Sequence, residues 1–304
     1  MPYINVNDAY ILDNTGKQVD DSVDYALANS NRNLLDNGWF TVREHGAGPF
    51  SGAVTCANRW TSPGAYTNIA LLNPYGIKIS NSAGNGATLD QVLGITGAEL
   101  DGKTLTLSVL TDDGIVTGTG VFNTNGDGYK VLLTFGGGKW FARVAWYASV
   151  STTHPFVRIA RTTTTDAASI NIYAVKLEIG AYSTLLNDIR PTYRTEAEKC
   201  HDYEYVVGAI NGAQYVFNCY CVSPTGVFNA ELLVQMNGTP QASFSGSGTV
   251  YTASGSFPIT AINVSRSGAN SMVIQVNVSG TPAAGQIGNV FFDNGAKLVL
   301  KVPL

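Results

Sequence analysis

Four residues have the types and spacing that suit sugar binding: Trp140, Arg143, Tyr147 and His154. Trp140 follows a glycine turn and Tyr147 lies in a run of alternating residues, so we expect both rings to reach solvent. Side chains of a strand alternate with a period of two residues, so Trp146 would point to the same side as Trp140. Either the Trp140 ring or the Trp146 ring is therefore expected to pack inside. Arg143 and His154 join the group if their strands are neighbours. Because aromatic rings cover the apolar face of a sugar and polar groups orient it, the four residues predict a glycan-binding surface.

Catalytic motifs are not visible in the sequence. The three histidines, His45, His154 and His201, are far apart and form no H-x-x-x-H or H-E-x-x-H spacing, so no zinc site is predicted. There is no G-x-S-x-G elbow and no P-loop. Lys139 follows three glycines, but without the other phosphate-loop residues this segment predicts a hairpin turn. We therefore expect no catalytic residues, no cofactor and no enzymatic activity.

Two aspartates, Asp112 and Asp113, are the clearest candidates for a catalytic or metal-binding site. With Gly114 they predict a polar turn. Paired carboxylates also serve glycan hydrolysis, and together with Asn125 and Asp127 they could supply oxygen ligands to a calcium ion. We expect the turn and no bound metal, and the other two interpretations stay open at this point.

The overall composition excludes several classes of protein. Of the 304 residues, 13% are charged and 44% are hydrophobic, which gives a weakly charged surface and enough apolar material for two cores. A net charge of −4 without a basic cluster argues against nucleic acid as a partner. No apolar run reaches the length of a membrane span, and the start of the chain lacks the features of a signal peptide, so we expect no membrane insertion.

Cysteine usage predicts free, buried thiols. The four cysteines form no C-x-x-C unit. Cys219 and Cys221 would share one face of a strand and could bind a metal, but no histidine pattern accompanies them. We interpret them as small buried hydrophobic residues.

The order of patterns along the chain predicts an all-β protein with two β-sandwich domains. Residues 1–33 form a connector in which Val19, Val23, Ala26 and Leu27 recur at helical spacing. This helix packs either on copies of itself, on an upstream partner or on the following domain. Residues 34–190 alternate as long strands with glycine-rich turns, which favours a jelly-roll-like sandwich. Within them, Thr88 and Gln91 suggest a capping box and a short helix.

A second block follows a predicted helical linker at 191–205. The linker begins after Pro191, where Thr195 and Glu198 have the spacing of a capping box. Residues 206–304 contain seven candidate strands separated by turn residues. Seven short strands in about one hundred residues favour a small sandwich.

The junction between the two blocks resembles that of phage and prophage tail-fibre proteins. In those proteins a K-L-E-x-G strand, here Lys176, Leu177, Glu178 and Gly180, leads through a proline to an E-x-x-x-C-x-x-Y helix, here Glu196, Cys200 and Tyr203. The pieces at 33–190 also resemble the carbohydrate-binding-module-like domain of tail fibres. The run from Phe228 to Pro240 resembles a fibre-tip domain, although Asn237 and Gly238 stand where many relatives carry a basic residue.

This resemblance implies a receptor-binding protein of the virion tail. Such a protein is present in the host cytoplasm during assembly, is usually a homotrimer, contacts other tail proteins and binds a bacterial cell-surface glycan without catalysis. Two rival interpretations remain, a purely structural tail or decoration protein and a glycan depolymerase.

Overall fold

The computed structural model describes residues 32–64, 67–147, 153–162, 165–188, 190–208, 212–268 and 271–304. Strands make up 53% of the described residues and helices 6%, so the all-β prediction is confirmed. The expected helical connector falls almost entirely on residues 1–31, which lie outside the described part. No helix within the described ranges is long and apolar enough to cross a membrane.

Two antiparallel six-stranded sheets enclose the first core, with strands numbered β1 to β21 in chain order. Sheet A contains, in spatial order, β1 (Phe50–Ser51), β4 (Thr67–Leu71), β5 (Ile77–Asn81), β12 (Ala168–Ile179), β7 (Thr104–Thr111) and β8 (Gly114–Val121). Sheet B contains β2 (Val54–Ala57), β3 (Trp60–Ser62), β6 (Ala87–Val92), β11 (Phe156–Arg161), β10 (Trp140–Trp146) and β9 (Gly128–Phe135).

Two-residue periodicity explains which side chains of these sheets face the core between them. In β7, Leu105, Leu107 and Val109 are fully buried and join one continuous core with inward residues of sheet B such as Leu133 and Val144. Side chains at the intervening positions of β9, β10 and β11 point away from that core. Sheet B therefore has an outer face, and this face carries the candidate site.

The short helix expected after Thr88 is a strand. Residues Ala87–Val92 form β6, which pairs along its whole length with β11, so ladder hydrogen bonds outweigh the local capping signal. A capping box does exist eight residues later. Thr96 caps helix α1 (Gly97–Leu100), and the Glu99 carboxylate accepts from the Thr96 backbone N–H.

Helix α2 (Tyr193–His201) follows a 3-10 helix at Leu185–Asn187. Its N-cap is Thr192, whose hydroxyl accepts from the backbone N–H of Thr195, so the helix begins one turn earlier than Thr195 suggested. The Cys200 side chain is fully buried in a small cluster with Val42 and Ala197. The helix is thereby packed against the first residues of the sandwich.

The C-terminal block differs from the two-sheet sandwich that its pattern suggested. Sheet C contains β13 (Glu204–Gly208), β21 (Lys297–Lys301) and β16 (Gln241–Ser245). The other six strands close into a barrel, in the order β14 (Gln214–Ser223), β15 (Val227–Leu232), β19 (Met272–Val278), β18 (Gly255–Ser267), β17 (Gly248–Thr252) and β20 (Ile287–Phe292). Closure occurs because β14 pairs with β20 as well as with β15, which removes free strand edges.

Side chains fill the second core, so this barrel has no open lumen for a ligand. Phe217, Phe228, Ile274, Val290 and Phe292 are among the buried residues that pack there. Any binding surface of the barrel is therefore on its outside.

Candidate functional site

Aligned strands bring a row of polar side chains together on the outer face of sheet B. Arg143 of β10 is in register with Arg158 of β11, which is in register with Asp90 of β6, which in turn pairs with Thr61 of β3. Adjacent strands are about 4.8 Å apart, so this row crosses the sheet over roughly 15 Å. All four side chains are partly exposed.

Aromatic rings surround the guanidinium at one end of the row. The Cζ atom of Arg143 lies 3.4 Å from the ring centroid of Tyr129 and 4.6 Å from that of Phe141. Tyr129 lies on β9, at the edge of the sheet, and is 47% exposed. Stacking on two rings holds the guanidinium in place while leaving aromatic surface open to solvent.

Two further rings extend this surface. Tyr147 and Phe156 are stacked with their centroids 5.9 Å apart, and Tyr129 meets Tyr147 nearly at a right angle at 6.3 Å. The neighbouring Tyr129 hydroxyl, followed by burial, raises the pKa of Tyr147, so this phenol stays protonated at neutral pH. We call Tyr129, Phe141, Arg143, Tyr147 and Phe156 the aromatic platform.

The middle of the row is a paired charge. Arg158 donates from Nε and Nη2 to the two carboxylate oxygens of Asp90 at 2.8 and 2.5 Å, and its guanidinium lies 5.1 Å from the Phe156 ring. Burial raises the pKa of Asp90, an effect that the Arg158 charge opposes. This fork-shaped pair presents fixed polar groups beside the platform.

The far end of the row opens into a cleft of about 410 Å³ between sheet B and the C-terminal residues. Its walls are mainly apolar, and Asp90 contributes to its polar surface. The lining residues are Arg59, Thr61, Pro63, Asp90 and Val92 from the first core, and Gln241, Lys301, Val302, Pro303 and Leu304 from the C-terminal block.

Buried hydrogen bonds fix the two walls of this cleft relative to each other. Glu204, at the start of β13, is fully buried; its carboxylate contacts His45 Nε2 at 3.0 Å and accepts from the Arg59 backbone N–H at 2.6 Å. The Arg59 guanidinium lies 4.5 Å from the Tyr203 ring. The Tyr203 of the E-x-x-x-C-x-x-Y motif thus joins the C-terminal block to sheet B.

Of the four residues that the sequence nominated, the structure brings Arg143 and Tyr147 to one surface. Trp140 is only 2% exposed, so the expectation that it reaches solvent is wrong. The two-residue period places it with Ala142 and Val144 toward the core, and Trp146 is buried as well.

His154 stands two residues before the platform residue Phe156, and its side chain makes a different contact. Its ring contacts the Thr153 hydroxyl at 3.1 Å, and the charges that influence it belong to Glu99 and Arg59. Burial lowers the pKa of His154, which favours the neutral ring. Tyr129, Phe156, Arg158 and Asp90 were not predicted from the sequence; outward alternation along β9 was the signal that could have located Tyr129.

The other chemical candidates have structural roles. Asp112 and Asp113 form the two-residue turn between β7 and β8, and the Tyr173 hydroxyl donates to Asp112. No cluster of three or more histidine, cysteine or acidic residues suited to a metal occurs in the described ranges. All four cysteines are free and buried, and burial raises the pKa of both Cys56 and Cys219 to about 12.

Comparison with known proteins provides no family assignment. No family model matches this sequence, and no curated protein matches it. Function is therefore inferred from the side chains on the outer face of sheet B.

Proposed function

We propose that this protein is a tail-fibre or receptor-binding subunit of a bacteriophage virion that binds a bacterial cell-surface glycan without catalysis. The observation that carries the proposal is the aromatic platform, a group of partly exposed rings around one fixed guanidinium. The resemblance of the junction around Lys176 and Cys200 to tail fibres supports the virion assignment.

An open sheet face with aromatic rings suits a polysaccharide. Ring faces stack on the apolar side of a sugar, and the neighbouring Arg158 and Asp90 offer hydrogen bonds to hydroxyl groups. A polymer lying along the row would reach from Tyr129 to the cleft beside Lys301. Affinity at one such shallow site is low, and a homotrimer on a virion would multiply it through avidity.

The domain assignments form part of this proposal. Residues 34–190 are a jelly-roll-like domain of the carbohydrate-binding-module type, 191–205 a helical linker and 206–304 the tip domain. Other virion tail proteins contact the chain, which resides in the virion tail and in the host cytoplasm during assembly.

A structural role in the tail is the second candidate, and exposed apolar side chains on the C-terminal block favour it. Leu233 is 85% and Ile287 72% exposed, and Tyr215, Tyr220 and Tyr251 are each about half exposed. Such residues suit contacts with neighbouring subunits. In that case, the platform would have no affinity for glycans.

Tyr129→Ala tests the binding proposal, with Tyr251→Ala as its matched control because the two rings are 47% and 48% exposed. The purified protein, clustered on beads, is applied to an array of bacterial surface glycans. We expect selective binding that Tyr129→Ala weakens at least about tenfold, equivalent to about 1.4 kcal/mol, because a stacking ring is lost. Tyr251→Ala should bind like the wild type.

The opposite result would place the glycan-binding site elsewhere on the protein. Binding lost in Tyr251→Ala and kept in Tyr129→Ala would place recognition on the barrel. Absence of selective binding by the wild-type protein would favour the structural role. Because Trp140 is buried, replacing it would report on folding and is not a test of binding.

A further inference from the structure

Arg143 is an arginine without an acceptor. Its Nε atom is buried and meets no hydrogen-bond partner, and in the described part of the chain no carboxylate or carbonyl accepts from its terminal nitrogens. A guanidinium carries five N–H donors, and buried donors without acceptors are costly.

Three other arginines of the first core each pair with a carboxylate. Arg158, one strand away, is paired with Asp90, and Arg161 contacts Asp166 at 3.0 Å. Arg59 is paired with Asp36, also at 3.0 Å. Among the described residues, Arg143 has no direct ion pair; the rings of Tyr129 and Phe141 lie against its guanidinium and orient it without neutralising it.

The charge balance of the platform follows from this arrangement. The row holds two guanidinium groups and one carboxylate: Asp90 is paired directly with Arg158 and acts on Arg143 without a direct contact, so one positive charge is in excess. Burial lowers the pKa of Arg143, but a guanidinium remains protonated at any physiological pH. A partly desolvated cation without a counter-charge attracts an anionic group more strongly than a solvated one.

We propose that Arg143 binds the carboxylate of an acidic sugar, so that the ligand of the platform is a glycan containing uronic acid. This inference depends on the proposed function and specifies its ligand. The planar guanidinium matches a carboxylate through two parallel hydrogen bonds, while Tyr129 and Phe156 contact the sugar rings. A neutral glycan would leave the excess charge unpaired, which explains why a carboxylate is preferred.

The test compares two probes that differ in one group, methyl β-D-glucuronide and methyl β-D-glucoside. Each is titrated into the full-length protein while NMR follows the arginine Nε–H signals, with that of Arg143 assigned from its loss in Arg143→Gln. We expect the glucuronide to shift this signal and to bind at least tenfold more tightly than the glucoside. Arg143→Gln should abolish the preference, whereas Arg266→Gln, which removes an exposed arginine of the barrel, should keep it.

The outcomes separate this inference from the proposed function. Equal binding of both sugars at the platform would overturn the carboxylate preference and leave glycan binding intact. Glucuronide binding that Arg143→Gln leaves unchanged would place the acidic group elsewhere and also overturn the inference. Failure of the glucuronide to shift the Arg143 signal would do the same, while the glycan array decides independently whether the platform binds sugars. Methyl phosphate tests whether the anionic group could instead be a phosphate. It should compete only weakly with the glucuronide if the Arg143 guanidinium selects a carboxylate.

Discussion

Lys176→Ala is expected to lower the free energy of unfolding of the first core by about 3 to 5 kcal/mol. The Lys176 ammonium is 1% exposed and donates to Thr184 Oγ1 and Asp188 Oδ1, both at 2.6 Å. It also lies 3.6 Å from the fully buried carboxylate of Glu178. Its removal would leave that carboxylate buried without a counter-charge.

Denaturant unfolding followed by tryptophan fluorescence measures this loss. The protein has four tryptophans, at positions 39, 60, 140 and 146, so the signal reports on the first core alone. Lys78→Ala is the matched control, because Lys78 lies exposed on the adjacent strand β5 and should change stability little. A loss below about 1 kcal/mol in Lys176→Ala would mean that the buried cation is not needed for stability.

Glu204→Gln is expected to lower the free energy of unfolding by about 3 kcal/mol at pH 7, because it removes a buried charge facing His45. Burial alone would raise the pKa of Glu204, but the hydrogen bond and charge of His45 lower it below its usual value near 4.5. A carboxyl group with a lowered pKa in the folded protein contributes stability above that usual value. The contribution disappears as the pH falls through the folded pKa.

The difference between the wild type and Glu204→Gln should therefore be full at pH 7 and shrink below about pH 4.5. Calorimetric unfolding across this range measures it, and Glu231→Gln, on the exposed side of β15, is the control. Glu44 contributes acid-sensitive stability of the same sign, but it is present in both proteins and therefore cancels from their difference. Burial opposes the shift, but contacts with His201, Tyr193 and Asn58 lower its pKa. A difference that stays constant down to pH 3 would contradict the role assigned to the Glu204 charge.

The K-L-E-x-G and E-x-x-x-C-x-x-Y motifs have structural roles in this protein. Lys176 and Glu178 form a buried charge network at the end of β12, and Cys200 packs helix α2 on the sandwich. Tyr203 stacks on Arg59 and donates to the Gly94 carbonyl. These contacts explain the residue types at the motif positions without any ligand.

The sequence by itself determined the secondary-structure class, because strand alternation is a local property. The turn at Asp112 and Asp113 lies where the polar residues predicted it. The burial of the cysteines also followed from their small, apolar character. In each case, neighbours in sequence carry the information.

Only the tertiary structure decided which residues form the platform. Alternation separates two faces of a strand but does not say which face is buried, so Trp140 was assigned to solvent although its face packs in the core. Thr88 became part of a strand because β11 pairs with it, and the barrel closed because β14 meets β20. Arg158 meets Asp90 because β11 pairs with β6, 68 residues away in the sequence. That register depends on pairing energies between distant segments, and no local pattern encodes those energies.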